Sequence, residues 1–156
     1  MVQCINPNRI APVTEDLTTA EDNFEIIRGW EKMHRVDKPL SVGAAFLSGE
    51  WAVLNNTGEL ERAPASPTEA TALYLVIAGT DRFDVAANNA ATIVMASQVV
   101  VRTKRYNTGG SYTVGAILTV KDLGGGESVV TPHSGSEPKV ARVTAVGTDW
   151  IEYETL

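Results

Sequence analysis

The feature that most constrains this chain is how its β-branched residues are distributed. Val, Ile and Thr make up 42 of the 156 residues. They gather in short runs: Leu73 to Ala78, Thr92 to Met95, Gln98 to Tyr106, Tyr112 to Val120, Ser128 to Thr131, Val140 to Val146 and Trp150 to Glu154. Branching at Cβ stiffens χ1, lowers helix propensity and suits the pleated surface of a sheet. Turn formers separate the runs: Asn55-Asn56-Thr57-Gly58, Asn107 to Ser111, Gly124-Gly125-Gly126 and Gly147-Thr148-Asp149. Asn and Gly tolerate the positive φ that tight hairpins require. Strands and turns at intervals of about 8 to 12 residues predict a mainly β protein, a small antiparallel β-barrel or sandwich. The absence of a βαβ rhythm argues against a nucleotide-binding α/β fold.

Two runs carry extra information. Leu73 to Ala78 is apolar at nearly every position, which predicts an interior strand. In the closing run, Trp150, Glu152 and Glu154 alternate with Ile151 and Tyr153, which predicts a sheet with one partly wet face. Ala45 to Leu47 and Glu50 to Leu54 also read as short strands, with Glu59 to Ala63 returning beside the second. Ala65-Ser66-Pro67-Thr68-Glu69 reads as a loop, in which Ser66 suits a cap and Pro67 a first helical position.

Residues 1–40 read differently from residues 41–156. Asn6-Pro7-Asn8 and Ala11-Pro12 interrupt regular structure. Thr18 and Thr19 precede Glu21 and Asp22, a capping pattern. Phe24, Ile27, Trp30 and Met33 follow at spacings of three, which would line one side of a short helix. Gly29 weakens that helix by roughly 1 kcal/mol relative to Ala, and an irregular arm laid across another surface fits these residues equally well. The division expected is an extended N-terminal arm over 1–40, ended by Pro39, and a β domain over 41–156.

Charge and composition narrow the function. The formal charge is −6, and the acidity lies mainly early: residues 1–62 carry 10 acids and 6 bases, residues 63–156 carry 9 and 7. An acidic chain is a poor match to nucleic acid, whose phosphates call for clustered Lys and Arg. The single cysteine, Cys4, permits no internal disulfide and suits a reducing compartment. No basic segment followed by an apolar run opens the chain, and the longest apolar stretch, Ala72 to Gly79, is far short of the roughly 20 residues that span a bilayer. Cytosolic synthesis and no membrane partner are the expectations.

A reactive site is hard to assemble from this sequence. His34 and His133 are far apart and unflanked by ligands at metal spacing, so neither a metal nor a cofactor is expected. Ser134-Gly135-Ser136 is the nearest approach to a nucleophile elbow, without the following helix. The acid pairs Glu15/Asp16, Glu21/Asp22 and Asp81/Asp84 fall in turn or arm segments, where solvation keeps carboxylates ordinary. The glycine clusters lie between strands and lack a phosphate-loop Lys-Ser/Thr pair. The basic cluster is Arg102, Lys104 and Arg105. Arg102 and Lys104 share a strand face and are candidates to dock an acidic partner, or simply to keep a strand soluble. Trp30, Trp51 and Trp150 are candidate interface anchors, with core packing the more natural place for Trp51 and Trp150.

From Leu73 onward the chain resembles the capsid cement, or head decoration, proteins of tailed bacteriophages. The resemblance rests on Thr92 to Met95 leading into Val99-Val100-Val101-Arg102-Thr103-Lys104-Arg105-Tyr106, on the Tyr112-x-x-Gly115-x-x-Leu118-x-Val120 segment after a glycine loop, and on the closing pieces Val140 to Val143 and Trp150 to Tyr153. It implies a non-enzymatic β module on the outside of an icosahedral shell, bound to the major capsid protein after expansion. It also implies a homo-oligomer, a trimer before a dimer, with an N-terminal arm crossing neighbouring subunits. Val2, Ile5, Ile10, Val13 and Leu17 would be apolar anchors of that arm, with Phe24 and Trp30 beyond them. An arm that orders on binding gives up entropy but covers a large surface, and repetition on a shell adds avidity. The competing readings are a tail or receptor-binding β module, and a small hydrolase using Ser134 or Asp84 with His133.

Overall fold

The computed structural model describes residues 23–29, 31, 33–79, 89–95, 98–124 and 127–156. Eleven strands run in chain order: β1 Phe24–Arg28, β2 Arg35–Pro39, β3 Trp51–Leu54, β4 Leu60–Arg62, β5 Tyr74–Ala78, β6 Ala90–Val94, β7 Val100–Thr103, β8 Ile117–Asp122, β9 Ser128–Pro132, β10 Ala141–Val146 and β11 Ile151–Thr155. They form a six-stranded sheet, β1-β7-β11-β10-β8-β9, and a five-stranded sheet, β2-β6-β5-β3-β4. All pairings between named strands are antiparallel. The sheets pack as a sandwich rather than closing into a barrel.

The alternation of side chains explains the packing. Leu118, Val120, Val130, Val143, Ile151 and Tyr153 point inward from the six-stranded sheet, and Trp51, Leu75 and Ile77 meet them from the other. The Trp51 Nε1–H donates to the Tyr153 hydroxyl at 3.2 Å across this core. The five-stranded sheet also buries its second face. Ala52, Leu60, Val76, Ala91 and Ile93 pack there with Leu40 and Phe46. A strand covered on both sides must be apolar at successive positions, which accounts for Leu75, Val76 and Ile77 in one run.

Turn chemistry closes the β3–β4 hairpin. Gly58 takes φ +81°, and the Asn55 side-chain oxygen accepts from the N–H groups of Thr57 and Glu59, both at 2.9 Å. Two sheet edges are covered by short parallel bridges. Leu40 pairs with Leu60 beside β4, and Tyr106 with Val130 beside β9. Covering an edge removes a template for unwanted pairing.

Three local expectations are corrected. Phe24–Arg28 and Arg35–Pro39 are not part of an arm: β1 pairs with β7 and β2 with β6, and each supplies an edge to one sheet. The helix expected along Phe24, Ile27 and Met33 is replaced in part by β1, because Phe24 and Ile26 share the inward face and are both buried. Ala45 to Leu47 is a loop rather than a strand. The loop expected over Ala65 to Glu69 is present and ends in a turn, in which the Thr71 N–H donates to the Thr68 carbonyl at 2.8 Å, with no helix following Pro67.

Candidate functional site

The most connected polar centre is built around Glu50, just before β3. Its residue surface is 2% exposed. One carboxylate oxygen accepts from the Leu47 N–H at 2.6 Å. The other accepts from the Ser128 N–H at 3.1 Å and from Arg62 Nη1 at 3.3 Å. Ser128 begins β9, so Glu50 ties the two sheets together. Arg62 extends the centre: its Nη2 donates to the Ala45 carbonyl at 2.8 Å, and its guanidinium lies 5.5 Å from the Phe46 ring centroid. Arg105 donates from Nε to the Ser48 carbonyl at 2.9 Å. These contacts clasp the 40–50 loop over the outer face of the five-stranded sheet. Burial pushes the Glu50 carboxyl above its ordinary range, against the pull of the two N–H donors and Arg62. Every strong contact of Glu50 is spent on holding chain together, which makes this a structural clasp.

The outer face of the six-stranded sheet holds Arg102 and Lys104, two of the residues expected to dock a partner. Arg102 on β7 lies opposite Glu152 on β11, with Nη2 to Oε2 at 3.1 Å. The Thr144 hydroxyl donates to the other Glu152 oxygen at 2.9 Å. The guanidinium also sits 4.4 Å from the Trp150 ring centroid, while Gly147 lies against the same ring. Lys104 pairs with Asp149 at 3.2 Å. Both cations thus have acids of their own chain beside them, and the face is a neutralised ladder rather than a basic patch.

The other expected interaction residues fall in two groups. Phe24 is 2% exposed, in the core between the sheets and against Gly49, and is corrected from partner anchor to core residue. Val2, Ile5, Ile10, Val13, Leu17 and Trp30 lie outside the described residues. Trp51 is buried in the core, and Trp150 is half-buried beneath Arg102.

The residues named for a hydrolase are partly brought together. His133 Nε2 lies 2.9 Å from the Glu137 carbonyl. The Glu137 carboxylate accepts from the Ser134 N–H at 3.1 Å and pairs with Lys121 at 2.8 Å. The Lys121 contact leads the effects holding its pKa below the usual carboxylate range. The histidine therefore meets main chain, and the acid is held by a lysine and a peptide group. Asp84 lies outside the described residues. A groove of about 530 Å³ opens between the sheets, lined by Leu73, Met95, Pro138, Val140 and Leu156 among others, with Glu69, Glu137 and Lys139 as its charged residues. His133, Ser134 and Glu50 do not line it. Among the described residues no group of three His, Cys, Asp or Glu side chains is placed to hold a metal.

No protein-family model, curated protein or solved structure matches this chain.

Sequence reasoning missed the Glu50 clasp. Its partners lie 3, 12 and 78 residues away, so no local spacing announces it. The one available signal is a glutamate at the head of an apolar run, Glu50-Trp51-Ala52-Val53-Leu54.

Proposed function

We propose that this chain is a structural virion protein that binds the outer surface of an icosahedral phage capsid and strengthens contacts between capsomers. The observation that carries the reading is the framework from Thr92 onward. Each run on which the resemblance to head decoration proteins rests has a strand in it: β6, β7, β8, β10 and β11. A module of this kind needs a stiff body and accessible surface, not a reactive pocket. The clasped sandwich suits that demand, because the Glu50–Arg62, Arg102–Glu152 and Lys121–Glu137 pairs tie it internally. The partner is the major capsid protein, the location is the virion exterior after synthesis in the host cytoplasm, and the net charge of −6 favours a protein surface over nucleic acid.

The test is co-sedimentation of the purified full chain with expanded capsid shells of the parent phage. Saturable binding at a fixed number of copies per shell is expected. Absence of the chain from the shell pellet would contradict the proposal, and labelling confined to tails would assign it to a tail module instead.

A further inference from the structure

Strand β2 is the outermost strand of the five-stranded sheet. Its bonds to β6 fix which of its groups remain open. The Met95 N–H donates to the His34 carbonyl at 2.8 Å, and the Leu40 N–H donates to the Asn89 carbonyl at 3.0 Å. The register runs from Arg35 opposite Val94 to Pro39 opposite Ala90. Even-numbered residues of β2 are therefore the hydrogen-bonded pairs of this ladder, and odd-numbered residues turn their peptide groups outward. Arg35 and Asp37 present an N–H and a carbonyl each, and no other described strand pairs with them. The lane beside Pro39 is taken, because Leu40 bridges to Leu60 of β4.

We infer that β2 is a self-association edge, at which a second copy of this chain pairs antiparallel about a two-fold axis through Val36. Only odd-numbered residues can exchange hydrogen bonds across this edge, so the choice narrows to a few registers. An axis at Asp37 sets Asp37 against Asp37 of the second copy and Arg35 against Pro39, which has no N–H to give. An axis at Arg35 sets two guanidinium groups opposite each other. Like charges directly opposite are destabilising in a sheet. An axis at Val36 sets Arg35 against Asp37 of the second copy, twice by symmetry. Each such pair exchanges two main-chain hydrogen bonds and an opposite-charge contact, and Pro39 falls outside the exchange. The flanking pair, His34 with Lys38 of the second copy, adds no opposite-charge contact.

The apolar pattern agrees with this axis. Val36 lies opposite Ile93, and Ile93 opposite Val76. Val76 and Ile93 belong to the apolar face under the 40–50 loop. An axis at Val36 continues that row through Val36 of the second copy. Charges and proline on an edge ordinarily discourage pairing; here the same residues disfavour the axes at Arg35 and Asp37 and favour the one between them. The Arg35 side chain has no hydrogen-bond or ion-pair partner among the described residues, so it is free for this contact. Such an interface is isologous, as two-fold contacts must be. It does not depend on whether the chain binds a capsid.

Sedimentation equilibrium of the full chain tests the inference. The wild type is expected to be a reversible dimer. Arg35→Asp is expected to shift it to monomer with its β-sheet circular dichroism unchanged, and the double variant Arg35→Asp/Asp37→Arg to restore the dimer by exchanging the signs. Asp37 also accepts a hydrogen bond from the Thr92 hydroxyl at 2.6 Å, so a second measurement avoids that residue. Val36→Cys in a Cys4→Ser background is expected to oxidise to a disulfide-linked dimer, because facing residues of a non-hydrogen-bonded pair bring their Cβ atoms to about 4.5–5.5 Å. A monomeric wild type, an oligomer indifferent to Arg35→Asp, or a Val36→Cys chain that stays uncrosslinked would overturn it.

Discussion

The two sheets treat their outer faces in opposite ways. The six-stranded sheet leaves part of its outer face polar, and neutralises it with Arg102 and Glu152 on β7 and β11 and with Lys104 and Asp149 just beyond them. The five-stranded sheet makes its outer face apolar and then covers it with the 40–50 loop, seating Phe46 at 0% exposure. The first solution needs only paired side chains. The second needs a loop held in place, and a loop has no ladder of its own. Glu50, Arg62 and Arg105 supply the missing bonds. The difference teaches that a covered face needs a buried carboxylate, Glu50, to place its loop, while a polar face is held by pairs between neighbouring strands, the nearly buried Glu152 among them.

The comparison breaks first at Phe46. Phe46→Ala removes a fully buried ring from the covered face and should cost about 3–5 kcal/mol, read by urea unfolding. A loss near that of a surface substitution would mean the loop is not part of the core.

Glu50→Ala comes next, at about 2–4 kcal/mol, because it strands the buried N–H groups of Leu47 and Ser128. Acidity sharpens this point. Burial raises the Glu50 pKa in the folded state above its ordinary value of 4.5, so the folded chain binds a proton that the unfolded chain has released. The contribution of this group to stability therefore grows as pH falls through the raised value toward 4.5, and is level below that. Measured against Glu50→Gln across that window, the wild type should gain relative stability on acidification. A relative loss would contradict the assignment.

Gly79→Ala should cost about 1–3 kcal/mol by overpacking. A Cβ at Gly79 would run into the Phe46 carbonyl, so the loop must move to admit it. On the other sheet, Lys104→Ala should have the smallest effect, about 1 kcal/mol or less, since Lys104 and Asp149 are both exposed and solvent screens their pair. A Lys104 effect as large as that of Glu50 would erase the distinction between the two faces.

The legible parts of this fold are those whose signal is local. The β3–β4 hairpin was readable from Asn55 and Gly58, and β5 from its unbroken apolar run. The strands from β6 to β11 followed from β-branched runs between turn residues. The mainly β sandwich was legible for the same reason, although the pattern left a barrel equally open, since closure depends on how edges meet. What sequence could not supply was long-range. Strand β1 shows only Phe24 and Ile26 as its alternating pair, and its partner β7 lies far along the chain, with Ile26 opposite Val101. The spacing of three from Phe24 to Met33 therefore outweighed it locally. Ala45 to Leu47 has strand-like residues but packs as a cover, with its hydrogen bonding taken over by Arg62 and Glu50. Arg102 and Lys104 were correctly placed on β7 or just beyond it, yet their acids, Glu152 and Asp149, come from the far end of the chain.

The central claim is that this clasped sandwich strengthens a capsid shell from outside. It is tested most directly by the melting temperature of expanded shells of the parent phage with and without the saturating chain. The account predicts a higher shell melting temperature in its presence, with the gain reduced for Glu50→Ala when its body unfolds first. A shell that melts at the same temperature with the chain bound would contradict it.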